Sequence, residues 1–475
     1  MAWTRTWPAV VLAAACPSPD PPDPVAEDTA SVVVPSSPSE PADSAEPQPT
    51  AIEASTTIPV TTPAGPVTSN VGSPPNLLVV SIDTLRRDIL VRYGASEYSM
   101  PFLDAKLDDA WTFDAHYSCS SWTLPSLVCA LTGRRSIDLG HQDYIGTLAE
   151  IEPLPAGTES LATWLGEAGY RTGVVTASGY LASGFGLGES YQDERDGSNH
   201  RAKVIVDQAL EWLDDLDGSS PWMLHAHFID PHTPYAPEPG YEPEVESDWD
   251  LTSNSGLRDL EEAWGTLPIS EQQDARVALG AYYGAQTAYL DEQLSRLWFV
   301  LGERDLLDDT VVLVFSDHGE QLMERGSIGH AEDLYAEEQL ALAAMLGPGV
   351  APGSWSGPTS HVDLPATVLD VLGLPAQPTD GYVVSEAPSD RLIWGMLAIP
   401  ARGESRTSLV RGPDRLVYRW SGEIGYFRAD LNPSDSNDLY DPALPAAAEL
   451  WELTSIEVRR AAAHYGLDEP PDLAP

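Results

Sequence analysis

The sequence predicts an α/β protein with a largely parallel central sheet, helices on both faces, and a small α+β subdomain at its C-terminal end. Three observations lead there: short, wholly apolar runs recur along the chain, amphipathic helical stretches separate them, and the pattern changes near residue 385. Continuous apolar runs mark strands buried on both faces, which parallel sheets require. At 475 residues the chain is long enough for a self-supporting core without disulfides or a structural metal.

Residues 1–15 open with Arg5 and an apolar run from Trp7 to Ala15, too short to cross a bilayer, and read as an export signal. Cys16 follows three alanines, so the segment resembles a bacterial lipoprotein signal in which the cysteine is lipidated. Ala13 stands where such signals usually carry leucine, which keeps ordinary secretion and a chance match open. This reading places the protein in the bacterial periplasm or on the cell surface, anchored through Cys16. Residues 16–75 are rich in Pro, Ser, Thr, Glu and Ala and nearly devoid of aromatics, the composition of a disordered, extended tether.

The catalytic domain is expected over residues 76–385. Residues 77–82, 173–177, 222–229 and 311–315 read as buried strands, and residues 276–301 as an amphipathic helix. Residues 386–475 form the expected subdomain, with β character at 408–420 and 424–427 and a final helix at 446–465. In open sheets of this kind, ligands sit beyond the carboxyl ends of the strands.

Composition narrows the partners. The 73 acidic residues outnumber the 25 basic ones, giving a formal charge of -48. Such a surface repels nucleic acid and other polyanions, so no nucleic-acid partner is expected and a highly sulfated polymer is a poor first substrate. Of the three cysteines, Cys119 and Cys129 read as buried thiols, with pairing open if export exposes them to an oxidising compartment.

Two apolar runs end in acids: one leads to Asp83, and Asp88 follows it; the other leads to Asp317-His318-Gly319-Glu320. Asp88 reads as a turn or cap residue. The Asp317–His318 pair on a tight turn reads as a ligand pair, and carboxylate with imidazole suits Ca, Mg, Mn or Zn. Between the two runs, Thr123 reads as a helix N-cap, with Pro125 in the first turn and Gly133 as the stop. A hydroxyl there faces the positive end of a helix dipole, which favours its alkoxide and an incoming anion.

Seven segments in order resemble the sulfatase family of the alkaline-phosphatase superfamily. They are Ser81-Ile-Asp83-Thr-Leu-Arg-Arg-Asp88; Thr123-Leu-Pro125-Ser126 with Leu131-Thr-Gly133-Arg134; His227-Phe-Ile-Asp230-Pro-His232-Thr-Pro-Tyr235; Ala288-Tyr-Leu-Asp291; Ser316-Asp317-His318-Gly-Glu320; Gly329-His330 with Leu334-Tyr-Ala-Glu337; and His361-Val-Asp363-Leu-Pro-Ala-Thr367. The resemblance implies an alkaline-phosphatase-like fold and a sulfuric or phosphoric ester hydrolase acting on a small-molecule, glycan or lipid ester. It makes Asp83, Asp317, His318 and Thr123 the ligands of one divalent ion, calcium ahead of Mg, Mn or Zn. It makes Thr123 the nucleophile, His232 and His330 the groups that hold the ester and protonate its leaving oxygen, and Arg134 an anion contact. His227, His141 and His361 are read as structural.

Two departures bear on the chemistry. Thr123 stands where sulfatases carry the Cys or Ser that becomes formylglycine, and Leu127 replaces their Arg; threonine cannot form that aldehyde. Related phosphodiesterases and phosphoryl-group transferases use Thr directly, which supports a phosphodiesterase or transferase acting on lipid head groups or envelope glycans. Thr84, where many sulfatases have a second Asp, argues against a two-metal site. A surface-binding module that has lost activity is the third reading.

Overall fold

The computed structural model describes residues 74–95, 99–140, 153–182, 184–197, 200–398, 405–431 and 434–465, with positions 470 and 473. The expected signal, Cys16, the tether up to residue 73 and His141 lie outside the described residues. No helix among the described residues is long and apolar enough to cross a membrane.

In chain order the elements begin β1 (Asn76–Ile82), α1 (Pro101–Asp108), β2 (Trp111–Tyr117), α2 (Thr123–Thr132), α3 (Leu161–Glu167), β3 (Arg171–Thr176) and β4 (Asp193–Asp196). There follow α4 (Ala202–Asp214), β5 (Trp222–Phe228), α5 (Asn254–Ala263), α6 (Ile269–Glu303), β6 (Thr310–Ser316), β7 (Gln321–Leu322), β8 (Ile328–Gly329), α7 (Ala336–Gln339), β9 (Ala343–Leu346), β10 (Gly353–Ser360) and α8 (Asp363–Val371). The C-terminal part comprises β11 (Leu392–Leu397), β12 (Arg406–Arg411), β13 (Asp414–Arg419), β14 (Ile424–Arg428) and α9 (Pro445–Tyr465).

Eight strands form one sheet in the order β10-β2-β9-β6-β1-β5-β3-β4. All its pairs are parallel except those of β9, which runs antiparallel to both β6 and β2. Alternate residues of β1 explain why an apolar run becomes a central strand. Leu77 and Val79 enter one core with Leu127 and Leu131 of α2, Leu161 and Leu165 of α3, and Leu364 and Val368 of α8. Leu78, Val80 and Ile82 enter the opposite core with Leu103 and Leu107 of α1, Ile205 and Val206 of α4, and Leu290, Leu294 and Leu297 of α6. Helices therefore cover both faces, and β1 is buried at nearly every position.

The four strands expected from apolar runs are β1, β3, β5 and β6, each at or within a few residues of its expected bounds. Strands β2 and β10 carry no such run. Pro358 in β10 sits at a register shift beside β2, on an edge strand where a missing N–H is tolerated. The stretch 408–420 proves to be two strands, β12 and β13, folded back on each other about residues 412 and 413. With β11 and β14 they make a four-stranded antiparallel sheet, and α9 packs Ala447, Leu450, Val458 and Ala461 against Leu409, Leu416 and Tyr418.

Cys119 and Cys129, expected as free thiols, are joined as a disulfide with Cα atoms 6.5 Å apart. The helical turns of α2 carry Cys129 back toward the segment preceding the helix, a proximity that linear spacing does not reveal.

One buried ion pair ties the C-terminal sheet to the larger one. Arg415 of β13 pairs with Asp435 and donates to the Leu334 carbonyl and to Gln339 Oε1, while Asp435 Oδ2 accepts the Ala336 N–H at 2.9 Å. Both side chains are almost fully buried. Asp435→Ala strands the guanidinium and is expected to cost about 3 kcal/mol or more, read from the urea midpoint; a loss below about 1 kcal/mol, the range of an exposed pair, contradicts this role.

Candidate metal and ester site

Strand order alone assembles the first half of the site. Asp83 follows β1 and donates its N–H to Phe228 O of β5 at 2.8 Å; Asp317 follows β6 and donates its N–H to Ile82 O at 3.2 Å. Because β6, β1 and β5 are neighbours, their carboxyl ends present Asp317, Asp83 and the loop carrying His232 side by side.

Local backbone geometry then aims the ligand atoms. Thr84 adopts a left-handed conformation, φ 56°, strained for a β-branched residue. Its N–H reaches Asp317 Oδ1 at 3.1 Å, and the His318 N–H donates to the same oxygen at 2.7 Å. Asp317 Oδ2 is left buried without a partner, as is Asp83 Oδ1. Gly319 permits the turn, since a Cβ there would lie 2.0 Å from Glu337 O. A carbonyl only accepts, so the 2.9 Å contact of His318 Nδ1 with Gly319 O places the proton on Nδ1 and leaves the Nε2 lone pair for the site. Nε2 lies 3.7 Å from Asp83 Oδ1 and 3.6 Å from Asp317 Oδ2.

Thr123 completes the cluster from the other side of the sheet edge. It occupies the first turn of α2, and the N-cap is Trp122, so the expected capping role is not the one its hydroxyl plays. Thr123 Oγ1 instead lies 3.5 Å from both Asp83 Oδ2 and His318 Nε2. Gly133 closes the helix in the left-handed conformation, as expected.

The residues fit a divalent cation. One ligand atom from each of Asp83, Asp317 and His318 falls within 4.8 Å of the others. Two buried carboxylate oxygens without hydrogen-bond partners suit a positive partner. Burial pushes the Asp83 carboxyl up to about 6; the Glu320 carboxylate pushes the same way and His232 opposes it. Burial, with the nearby Asp83 charge, pushes Asp317 well above the usual carboxylate range.

His232 and His330 lie together, ring centroids 4.7 Å apart, and His330 lies 4.7 Å from the His318 ring. His330 Nδ1 is 3.2 Å from Glu320 Oε1. An imidazole titrating near neutrality is not what burial produces: His330 is pushed down to about 4, and the fully buried Glu320 up to about 7. Near neutral pH the proton of the pair therefore belongs to Glu320, a residue whose role the sequence did not disclose; its signal was its place three residues beyond Asp317.

Other expected residues stand elsewhere. Arg134 lies past the C-terminal end of α2, about 15 Å from Thr123 along a ten-residue helix, and pairs with Asp380 at 3.4 Å. The fold thus separates it from the cluster that it was expected to serve. Asp88 pairs with Arg86 at 2.7 Å. Asp291 accepts the Phe102 and Leu103 N–H groups of α1, and Asp363 holds Arg391. His361 donates from Nε2 to Asp317 O at 2.8 Å and supports that ligand from behind. His227 is different: its Nε2 is buried, unpartnered and 3.9 Å from Asp83 Oδ2.

A family model described as Sulfatase matches residues 75–374. The choline-sulfatase of Rhizobium meliloti (strain 1021) is 29% identical over 180 residues, which is 34% of this chain and 33% of that protein, so the match spans about a third of the relative's length. Among solved structures, a protein in complex with its substrate D-glucosamine-2-N,6-O-disulfate superposes with TM-score 0.65 at 18% identity, covering 84% of this chain and 100% of that one. The phosphonate monoester hydrolase from Silicibacter pomeroyi gives TM-score 0.62 at 20% identity, over 82% of this chain and 96% of that one. At these identities the structural likeness establishes the shared fold.

The raised carboxyl groups make stability depend on pH. An Asp83 that holds its proton to about 6 when folded binds more protons than the unfolded chain between its ordinary value of 3.8 and that point, so the ion-free protein loses stability as pH rises through this window. A bound cation reverses the preference by favouring the ionised carboxylates. Melting curves are expected to show a larger stabilisation by divalent ions over chelator at pH 8 than at pH 5; an equal shift at both pH values would mean that these carboxylates do not bind the ion.

Proposed function

Because the chain belongs to the sulfatase family, we propose that it is a metal-dependent hydrolase of sulfate or phosphate esters, with Thr123 as nucleophile at a single divalent-ion site. The observation that carries this reading is the convergence of Thr123 Oγ1 on Asp83 Oδ2 and His318 Nε2 at the N-terminus of α2. Asp83, Asp317, His318 and Thr123 would hold the ion. When bound, it would supply charge neutralisation and lower the pKa of the Thr123 hydroxyl. Calcium takes six to eight oxygens; one imidazole nitrogen among few oxygens moves manganese and zinc ahead of it.

The residues divide the work as follows. Thr123 Oγ1, having released its hydroxyl proton to solvent, forms the bond to phosphorus or sulfur while the bond to the ester oxygen breaks, and the backbone N–H groups opening α2 face the anionic oxygens. His232 orients the ester. His330 delivers the proton to the departing oxygen: a protonated Glu320 donates to its Nδ1, so the ring's proton stands on Nε2. Water then bonds to phosphorus or sulfur as the bond to Thr123 Oγ1 breaks, its proton passing to the bare His330 Nε2 while the Nδ1 proton returns to Glu320, and Thr123 Oγ1 is reprotonated from solvent. Since threonine cannot become an aldehyde, the phosphodiesterase or phosphoryl-transferase reading, on lipid head groups or envelope glycans, is the second supported by a specific residue. The same reading places the protein outside the cytoplasm, tethered to the membrane through Cys16.

Thr123→Ala is expected to lower turnover of matched aryl sulfate, phosphate monoester and phosphodiester substrates by about three orders of magnitude or more, while a phosphorylated or sulfated Thr123 peptide is recovered from quenched wild-type reactions. Turnover surviving the substitution would remove Thr123 as nucleophile. Silence toward all three esters and all divalent ions would leave a surface-binding module that has lost activity.

The general-acid role has its own signature. The Glu320 proton is lost as pH rises through about 7, so kcat/KM for alkyl esters should fall above that point. Aryl esters, whose leaving groups need no proton, should not show the fall, and Glu320→Gln, neutral at every pH, should abolish it. A profile unchanged by that substitution would assign the limb to another group.

A further inference from the structure

A buried polar chain leads from Asp83 into the sheet. β1 and β5 pair in register with Ser81 beside His227 and Val79 beside His225, so the two histidines, two positions apart, share the face on which Ser81 lies. Ser81 Oγ is 2.7 Å from His225 Nε2 and 2.7 Å from His227 Nδ1. Tyr191 Oη is 2.8 Å from His225 Nδ1. All four side chains are buried, and only the far end, His227 Nε2, lacks a partner.

Counting protons gives the chain a direction. The Tyr191 hydroxyl has one proton, and among the described residues His225 Nδ1 is its one hydrogen-bond partner, so donating to it avoids stranding a buried phenol. His225 then carries its proton on Nε2 and donates to Ser81. Ser81 in turn donates to His227 Nδ1, which leaves His227 with its proton on Nε2. Burial favours the neutral forms that this order needs, raising the Tyr191 phenol and lowering His225 well below its ordinary value.

We propose that His227 is a positioning residue of the metal site: an Nε2–H donor, its tautomer set by Tyr191 through His225 and Ser81, that holds Asp83 by Oδ2 and leaves Oδ1 to the cation. The proposal rests on the metal-site reading above and deepens it. The opposite tautomer would aim a lone pair at the site and make His227 a further ligand. At 3.9 Å the His227–Asp83 contact is longer than a hydrogen bond, and a carboxylate shift of about 1 Å completes it.

The test uses the whole chain, ¹⁵N-labelled at histidine. In the ion-free protein, long-range ¹H–¹⁵N spectra should show His227 as the Nε2–H tautomer, its signals assigned by their loss in His227→Gln. Tyr191→Phe, which removes the phenol proton, should shift His225 and His227 toward the opposite tautomer. By calorimetry with Mn²⁺, His227→Ala should weaken binding about tenfold or more, and His227→Gln, whose amide N–H replaces Nε2–H, should restore it to within about threefold of wild type. An Nδ1–H tautomer at His227, or a Gln variant as weak as Ala, overturns the proposal. A wild-type protein that binds no Mn²⁺, Ca²⁺ or Zn²⁺ sinks the metal-site reading itself, an outcome distinct from a wrong tautomer.

Discussion

Two buried carboxyl groups at adjoining strand ends are the constraint from which the rest of the site follows. Asp83 and Asp317 each leave one oxygen without a hydrogen bond, and burial, reinforced by the neighbouring carboxyl groups, holds both toward their protonated forms. An arrangement of this kind is destabilising unless a cation joins it. The strained Thr84, the absent side chain at Gly319 and the fixed tautomer of His318 all direct unsatisfied lone pairs at one point. Thr123, brought there by the N-terminus of α2, gains a polarised environment without any charge of its own.

The parts of the fold that were legible in the sequence are those where burial imposes a continuous apolar run. β1, β3, β5 and β6 show one because helices cover both of their faces. β2 and β10 do not: Asp114 and His116 interrupt one and Pro358 the other, and their pairing is supplied by distant neighbours rather than local pattern. The antiparallel β9 adds only four residues and resembles an ordinary apolar turn of chain.

The site followed the same division. Asp317 and His318 were legible as candidates because an apolar run stops at an acid and an imidazole, whereas Asp83 was singled out by the family resemblance; the fold brings the three together at adjoining strand ends. Arg134 was misplaced because motif order says nothing of which end of a helix faces the pocket. Glu320 was passed over and His227 read as structural because what sets them apart comes from burial: one carboxyl is pushed up to about 7, and the other side chain has a buried, unpaired nitrogen. Linear sequence carries neither property.

The disulfide adds a temporal dimension to this geometry. Cys119 and Cys129 enclose Thr123 within a covalent loop, anchoring the approach to α2 against a later turn of the same helix. Such bonds persist in oxidising compartments and are rare where thiols are kept reduced. The loop that carries Thr123 is therefore looser where thiols are kept reduced than where they are oxidised, so the bracing of the start of α2 depends on the redox state of the surroundings.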